Sequence, residues 1–442
     1  MPATRTDLEA LRADFPALER RRRGKPPIYL NSACTTLRPR PVIDAVRAYY
    51  EAYPTCGGGR AAEGAHLRAW FTEELRERET EAREVVRSLL GAPRVEEIVW
   101  TRNTTEAINL LARCLPLEPG DEVLTSENEH NSNLVPWLQL QARLRDVAGD
   151  ADLVVHRHFA RHPDGTFDLA AALAAITPRT RVVAIAQRSN LDGTRVPDSA
   201  IRALAERVHA VGGWLFLDAA QSVPNTPVDV VDLGVDFLAF SLHKLCGPSG
   251  MGVLYGRYDL LERMPPFLVG GDTVADVHLD RFEMKPPPEK FEAGLQHYAG
   301  ILGAAAAVTY VRDVVGFDRI RAHERRLNAH LTERLRPLEC DHFWLLGPPD
   351  ADQRGGILTM ASSQGTVINA IERIADEESN VMLRKGMFCA NAFLHHRFDA
   401  TGHAKNNLRA SMYLYNTEAE LDVVADVIER VVKNPLDYLD DA

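Results

Sequence analysis

The sequence predicts an α/β fold: a mostly parallel sheet with helices on both faces, followed by a smaller α+β domain. Three observations carry that reading. From residue 97 onward, short apolar runs alternate with stretches of helical period, the pattern of strands joined by crossover helices. Runs such as 237–240 are continuously apolar, as a buried strand is. The chain has 442 residues, more than one core usually supports.

Residues 7–28 read as a short helix and a polar arm, with the basic run 20–25 as a solvated segment. Residues 41–53 are helical. Cys56-Gly57-Gly58-Gly59-Arg60 requires a flexible backbone. A long charged amphipathic helix occupies 67–91 and is closed by Gly91. Strands follow at 97–101, 122–126, 152–156, 181–186, 214–218, 236–241 and 252–255. Helices at 104–115, 133–144, 168–176 and 198–210 separate most of them. Residues 257–300 connect the domains, and helices at 298–314 and 316–336 lead into the smaller one. The expected division is an arm over 1–28 that packs with the small domain, a large domain over 29–300 and a small domain over 301–442.

The bulk numbers exclude some functions. With 45% hydrophobic and 26% charged residues, the profile is that of a soluble globular protein. The net charge of −11 disfavours non-specific nucleic-acid binding. No run reads as long enough to cross a bilayer, and the charged N-terminus lacks a signal-peptide apolar core. None of the six cysteines forms a Cys-x-x-Cys pair. That argues against a disulfide framework or a zinc knuckle and for a reducing, cytoplasmic setting.

In parallel sheets ligands gather at the carboxyl ends of the strands. Two strand ends stand out. Residues 236–256 read DFLAFSLHKLCGPSGMGVLYG, placing Lys244 at a strand end in a glycine-rich loop. A lysine held there can have its amine freed by burial and can form a Schiff base with a carbonyl compound. Taken alone, such a lysine points at water, so a second feature has to decide. That feature is Asp218, ending the apolar run Trp214-Leu215-Phe216-Leu217. Pyridoxal phosphate (PLP) needs a lysine for its aldehyde and a carboxylate for its ring nitrogen. A third strand end, Arg102-Asn103-Thr104-Thr105-Glu106, opens a helix with hydroxyls and free N–H groups, which suits an anion.

Here a resemblance becomes specific. DAAQ at 218–221, followed by SLHKLCGPSGMGVLYG, resembles the PLP-lysine signature of class V aminotransferase-fold enzymes, closest to the group II (SufS-like) cysteine desulfurases. The similarity runs from about residue 8 to about residue 430 and implies the type I fold of PLP-dependent transferases. It implies that Thr104 and Thr105 form a phosphate cup, with Asn103 where the family has glycine. Ser241 and His243 would also hold the phosphate. In Glu127-Asn128-Glu129-His130-Asn131-Ser132-Asn133-Leu134-Val135-Pro136-Trp137, His130 would stack on the pyridine ring and move protons; Asn131 replaces a second histidine. Asn190 would contact the phenolic oxygen and the substrate, and Gln221 would face that oxygen.

Further along, Phe291-Glu292-Ala293-Gly294-Leu295-Gln296-His297 resembles a motif whose threonine reaches a partner's phosphate. Leu295 has no hydroxyl, which leaves Gln296 or His297 to substitute. Arg384-Lys385-Gly386-Met387-Phe388-Cys389-Ala390 resembles the loop that carries the persulfide-forming cysteine, here Cys389. Arg384, Lys385 and the loop glycine would surround it with positive charge. Met387 and Phe388 replace a histidine pair. Arg409, in Asn407-Leu408-Arg409-Ala410-Ser411, matches the carboxylate clamp, a task suited to a guanidinium fork, with Arg384 assigned to substrate as well. In Tyr29-Leu30-Asn31-Ser32-Ala33-Cys34 the family has alanine where this chain has Cys34, read as a conservative small residue. His395, His396 and His403 lack metal-ligand spacing and read as loop surface.

The implied activity is conversion of L-cysteine to L-alanine, with a persulfide on Cys389 for a sulfur-acceptor protein, in a homodimer. Rival readings are a class V aminotransferase, a selenocysteine lyase or another amino-acid lyase, and a scaffold that binds partners without turnover.

Overall fold

The computed structural model describes residues 8–56, 70–148, 154–398 and 405–438. Gly57–Gly59, residues 67–69 and 152–153 of two expected elements, and His403 lie outside them. In chain order come α1 (Leu8–Leu11), β1 (Ile28–Tyr29), α2 (Arg40–Ala52), α3 (Trp70–Leu90), β2 (Ile98–Thr101) and α4 (Thr104–Cys114). Then follow β3 (Asp121–Ser126), α5 (Val135–Ala148), β4 (Val154–Phe159), α6 (Leu169–Ala175), β5 (Thr180–Ala186) and α7 (Asp198–His209). The large domain continues with β6 (Trp214–Asp218), β7 (Phe237–Ser241), β8 (Gly252–Gly256), α8 (Tyr258–Arg263), a hairpin of β9 (Val274–Val277) and β10 (Phe282–Met284), and α9 (Tyr298–Thr309). The remainder is α10 (Phe317–Leu335), β11 (Trp344–Leu346), β12 (Ile357–Ala361), α11 (Gly365–Ser379), β13 (Val381–Met382), β14 (Arg384–Lys385), α12 (Asn391–Phe398), β15 (Asn407–Ser411) and α13 (Glu418–Lys433).

The main sheet has seven strands in the order β2-β8-β7-β6-β5-β3-β4. β8 runs antiparallel to both neighbours, and the other pairs are parallel. Successive residues enter opposite cores. In β7, Leu238 and Phe240 join one cluster while Phe237 and Ala239 join the other. A sheet covered on both faces demands apolar residues at every position, which explains the unbroken hydrophobic runs. β2, β7, β6, β5 and β3 share one direction, so their carboxyl ends open on one edge.

The small domain is an antiparallel sheet, β11-β12-β15-β14, packed under α10, α11 and α13. The arm joins it. Arg22 pairs with Asp376 at 2.7 Å, and β1 adds in parallel to β13, placing Ile28 and Leu30 in the small-domain core. Phe15, by contrast, packs in the large core. The far boundary differs from expectation. α9 packs against α2 and α3, and its Ile301, Ala304 and Val308 belong to the large core. The chain crosses to the small domain at α10.

One expectation needs correcting. α9 continues as a π-helical turn through Val315, and Tyr298–Val315 is long and apolar enough, by length and composition, to cross a membrane. Its apolar character serves packing between helices, with 56% of that stretch buried inside the protein.

Candidate active site

At the carboxyl edge of the main sheet a cavity of about 240 Å³ lies between the two domains. Asn103, Thr104, Thr105, Ser241 and His243 are among its lining residues. Asn103 caps α4, its Oδ1 accepting the Glu106 N–H at 3.0 Å, a contact worth about 1 kcal/mol. Gly252 on β8 makes room for this turn: a Cβ there would lie 2.6 Å from the Asn103 Cα. The Thr104 N–H donates to Ser241 Oγ at 2.9 Å, the two hydroxyls are 2.8 Å apart, and Thr105 pairs with Ser132 at 2.7 Å. His243 also lines the cavity, and burial brings its imidazole down to about 4, so it is neutral.

Lys244 closes the short turn that follows β7, and Asp218 ends the adjacent β6. Burial lowers the ε-amine of Lys244, while the Asp218 carboxylate pulls the other way. Asp218 is 5% exposed; burial raises its carboxyl, opposed by the Lys244 charge and by the Ala220 N–H at 3.0 Å. The amine and the acid therefore face one cavity within electrostatic reach of each other. With the hydroxyl-lined start of α4, this donor set fits PLP: a lysine for the aldehyde, a buried carboxylate for the ring nitrogen and an anion cradle for the phosphate.

His130 lies on the loop after β3, with Nδ1 accepting the Ser132 N–H at 3.0 Å. Burial, reinforced by the charges of Lys244 and Arg409, drives its imidazole down to about 3, so it is neutral at working pH. Beside it Glu129 is fully enclosed. Its carboxylate accepts from Asn133 Nδ2 at 2.7 Å and from the Ala186 N–H at 2.9 Å, yet burial pushes its carboxyl up to about 7. An acid raised in the folded state holds its proton more tightly there. Its stabilising effect is present below the unfolded value of 4.5 and is lost as pH rises toward about 7. Over that window the loss is about 3 kcal/mol at most. Glu129→Gln is expected to flatten the fall in thermal midpoint between about pH 5 and pH 8. Identical slopes in the two proteins would clear Glu129 of that role.

The small domain supplies the other wall. Arg409, on β15, donates from Nη1 to Asn190 O at 2.6 Å, and its guanidinium sits 4.8 Å from the Phe388 ring centroid. Its buried Nε has no hydrogen-bond partner among the described residues. Burial lowers the guanidinium to about 10, so it remains cationic. Arg384 is its cross-strand neighbour on β14. Phe388 and Cys389 both take left-handed backbone angles, φ 51° and 59°, at roughly 1–2 kcal/mol each. Three hydrogen bonds hold that turn. Asn190 Nδ2 donates to Phe388 O at 2.7 Å, the Asn131 N–H to Cys389 O at 2.6 Å and the Ala390 N–H to Met387 O at 2.8 Å. Cys389 is exposed and lines the cavity.

The cavity thus gathers Thr104, Thr105, His130, Asn190, Asp218, Gln221, Ser241, His243 and Lys244 with Arg384, Cys389 and Arg409. Two details depart from the sequence reading. Lys385 turns away to Glu372 at 2.8 Å, so the cations lining the cavity beside Cys389 are Arg384 and Arg409. His395 and His396 belong to α12 rather than to a loop. On the segment expected to reach a partner's phosphate, Gln296 donates to the carbonyls of Glu292 and Gly294, at 2.9 and 3.1 Å, and Leu295 is 68% exposed.

Sequence reasoning missed other members. Arg188 is buried in the wall, 3.6 Å from Glu324 of α10, a carboxylate from a distant helix that no local pattern announces. Asn131, read as a lost histidine, is the clasp on the Cys389 turn. Cys34 lines the same cavity as Cys389.

Residues 28–424 match the family described as Aminotransferase class-V. A probable cysteine desulfurase of Streptomyces coelicolor is 36% identical over 435 residues, covering 96% of this chain and 97% of its own. A cysteine desulfurase of Haloferax volcanii is 36% identical over 439 residues, covering 96% of each. The apo cysteine desulfurase of Thermococcus onnurineus superposes with a TM-score of 0.84 at 31% identity, over 96% of this chain and 98% of that one. The Escherichia coli cysteine desulfurase CsdA, in its S-sulfonic acid form, gives 0.79 at 31% identity, over 97% and 98%. The chain belongs to the class-V aminotransferase family. Within that family its sequence falls among the cysteine desulfurases.

Proposed function

We infer that this chain is a PLP-dependent cysteine desulfurase that turns L-cysteine into L-alanine and leaves the sulfur as a persulfide on Cys389. The observation that carries this reading is the meeting of Cys389 and Arg409, from the small domain, with Lys244 and Asp218, from the large one, around a single cavity. Lys244 would hold the cofactor's aldehyde, Asp218 its ring nitrogen, and Thr104, Thr105, Ser241 and His243 its phosphate. When bound, PLP supplies an electron sink for the pair left at Cα once its proton departs.

The chain's own residues do the rest. Arg409 binds the substrate carboxylate through a planar fork, and Asn190, already bonded to both Arg409 and the Cys389 turn, sets its position. Lys244 Nζ, its basicity lowered by burial, takes the proton from Cα. Neutral His130 lines the same cavity, with Nε2 free of the Ser132 bond that fixes Nδ1. Cys389 Sγ attacks the substrate sulfur. The balance closes: L-cysteine and one thiol give L-alanine and one persulfide.

We further propose a homodimer in a reducing cytoplasm that hands its sulfur to an acceptor protein. Exposed Leu268, Val269, Val277, Phe282 and Leu295 on and around the β9–β10 hairpin support a covered face there. All six free cysteines support the compartment.

The test is a panel of amino acids offered to the PLP-loaded enzyme. L-cysteine is expected to yield alanine and thiol-transferable sulfur in equal amounts. Pyruvate-dependent amino transfer without sulfur release would overturn the reading in favour of an aminotransferase.

A further inference from the structure

Two exposed cysteines, Cys34 and Cys389, line one cavity, and Cys34 ends the turn after β1. Both thiol positions lie within electrostatic reach of Lys244 and of Arg409. Neither sits on a loose loop. The Cys34 N–H donates to Asn31 O at 3.1 Å, the neighbouring Ala33 N–H to Ser411 Oγ at 3.0 Å, and Gln221 Nε2 to Ala33 O at 2.7 Å. Ser411 belongs to the strand that carries Arg409. The Cys389 turn is clasped by Asn131 and Asn190.

The other cysteines are placed differently. Cys114 and Cys246 are buried, and burial pushes their thiols up to about 11 and about 12. Cys340 is exposed beside His342, and neither it nor Cys56 lines the cavity.

We propose that Cys34 is a second sulfur-carrying residue, which takes the outer sulfur from the Cys389 persulfide inside the same cavity. The proposal rests on the desulfurase reading. Cys34 Sγ, as thiolate, attacks the outer sulfur of Cys389–S–SH. A new S–S bond forms on Cys34, the old one breaks, and the electron pair leaves on Cys389 Sγ as thiolate. The proton on the outer sulfur travels with it. No oxidant or reductant is consumed. Cys389 is thereby free to take a second sulfur while the first waits on Cys34, so one chain stores two sulfurs when no acceptor is present.

The test uses PLP-loaded enzyme exposed to L-cysteine without acceptor or reductant. Thiols and persulfides are capped with iodoacetamide in the native state, and the Cys34 and Cys389 peptides are weighed along a time course. Added sulfur is expected first on Cys389 and then on Cys34. Cys34→Ser should lower stored sulfur, and the alanine burst, from about two to about one per chain. Cys389→Ala should leave both sites unmodified. Three results would overturn the relay: Cys34 unmodified while Cys389 loads, Cys34 loaded in Cys389→Ala, or a Cys34–Cys389 disulfide with free sulfide. Sulfur on neither residue, together with no alanine, overturns the desulfurase reading itself and the relay with it.

Discussion

Replacing Lys244 by alanine is expected to abolish alanine formation from L-cysteine, a fall of at least about 10³-fold. The expectation follows from position. Lys244 is the lysine that lines the cavity, it faces Asp218, and burial has already lowered its amine toward the basicity a proton carrier needs. The variant should also lose its covalent hold on PLP. Borohydride is expected to fix the cofactor to Lys244 in the unsubstituted enzyme and to leave the variant's mass unchanged. Folding is the necessary control. Loss of the ammonium leaves the buried Asp218 without its counter-charge, so a lower thermal midpoint is expected alongside an intact circular-dichroism spectrum. Retained turnover in a folded variant would refute the assignment of both residues.

The second large effect is expected from Cys389→Ala. This variant should bind PLP and L-cysteine, form no persulfide, and release alanine at least about 10²-fold more slowly. The backbone supports a clean interpretation. Residue 389 sits at φ 59°, a conformation in which alanine and cysteine carry the same Cβ penalty. The turn is fastened through the main-chain oxygens of residues 388 and 389, which the substitution keeps. A spectral response to L-cysteine like that of the parent enzyme, with alanine formation lost, would isolate the missing thiol as the cause. Alanine formed at the parent rate would show that the sulfur leaves by another route.

Much of the large domain was legible because its strands are buried on both faces and so announce themselves as unbroken apolar runs. The chemistry-bearing residues were legible for a related reason: Thr104, His130, Asn190, Asp218 and Lys244 all lie at or just past carboxyl ends of strands, where local motifs survive as contiguous text. The small domain was harder to read. β13 and β14 have two residues each, and their pairing with β1 and β15 depends on distant partners. The same distance hid the Arg188–Glu324 contact and the clasp between Asn131 and Cys389. Glu129 was hidden differently, since a glutamate in a polar stretch reads as solvated until a surrounding sheet encloses it. Lys385 erred in the opposite sense: proximity in sequence suggested a shared field, but Glu372 turned the ammonium away.

Arg409 and the Cys389 turn hang from neighbouring strands of one antiparallel ladder, and Asn190 ties both of them to the large domain. Under the roles proposed for Arg409 and Cys389, the ladder sets the span from the carboxylate anchor to the attacking sulfur. L-cysteine places its sulfur one carbon beyond Cα, and a homologue longer by a single methylene would seat its carboxylate equally well yet carry its sulfur past the thiol. On that proposal, discrimination by chain length follows from the spacing of two strands, independently of how tightly either amino acid is held.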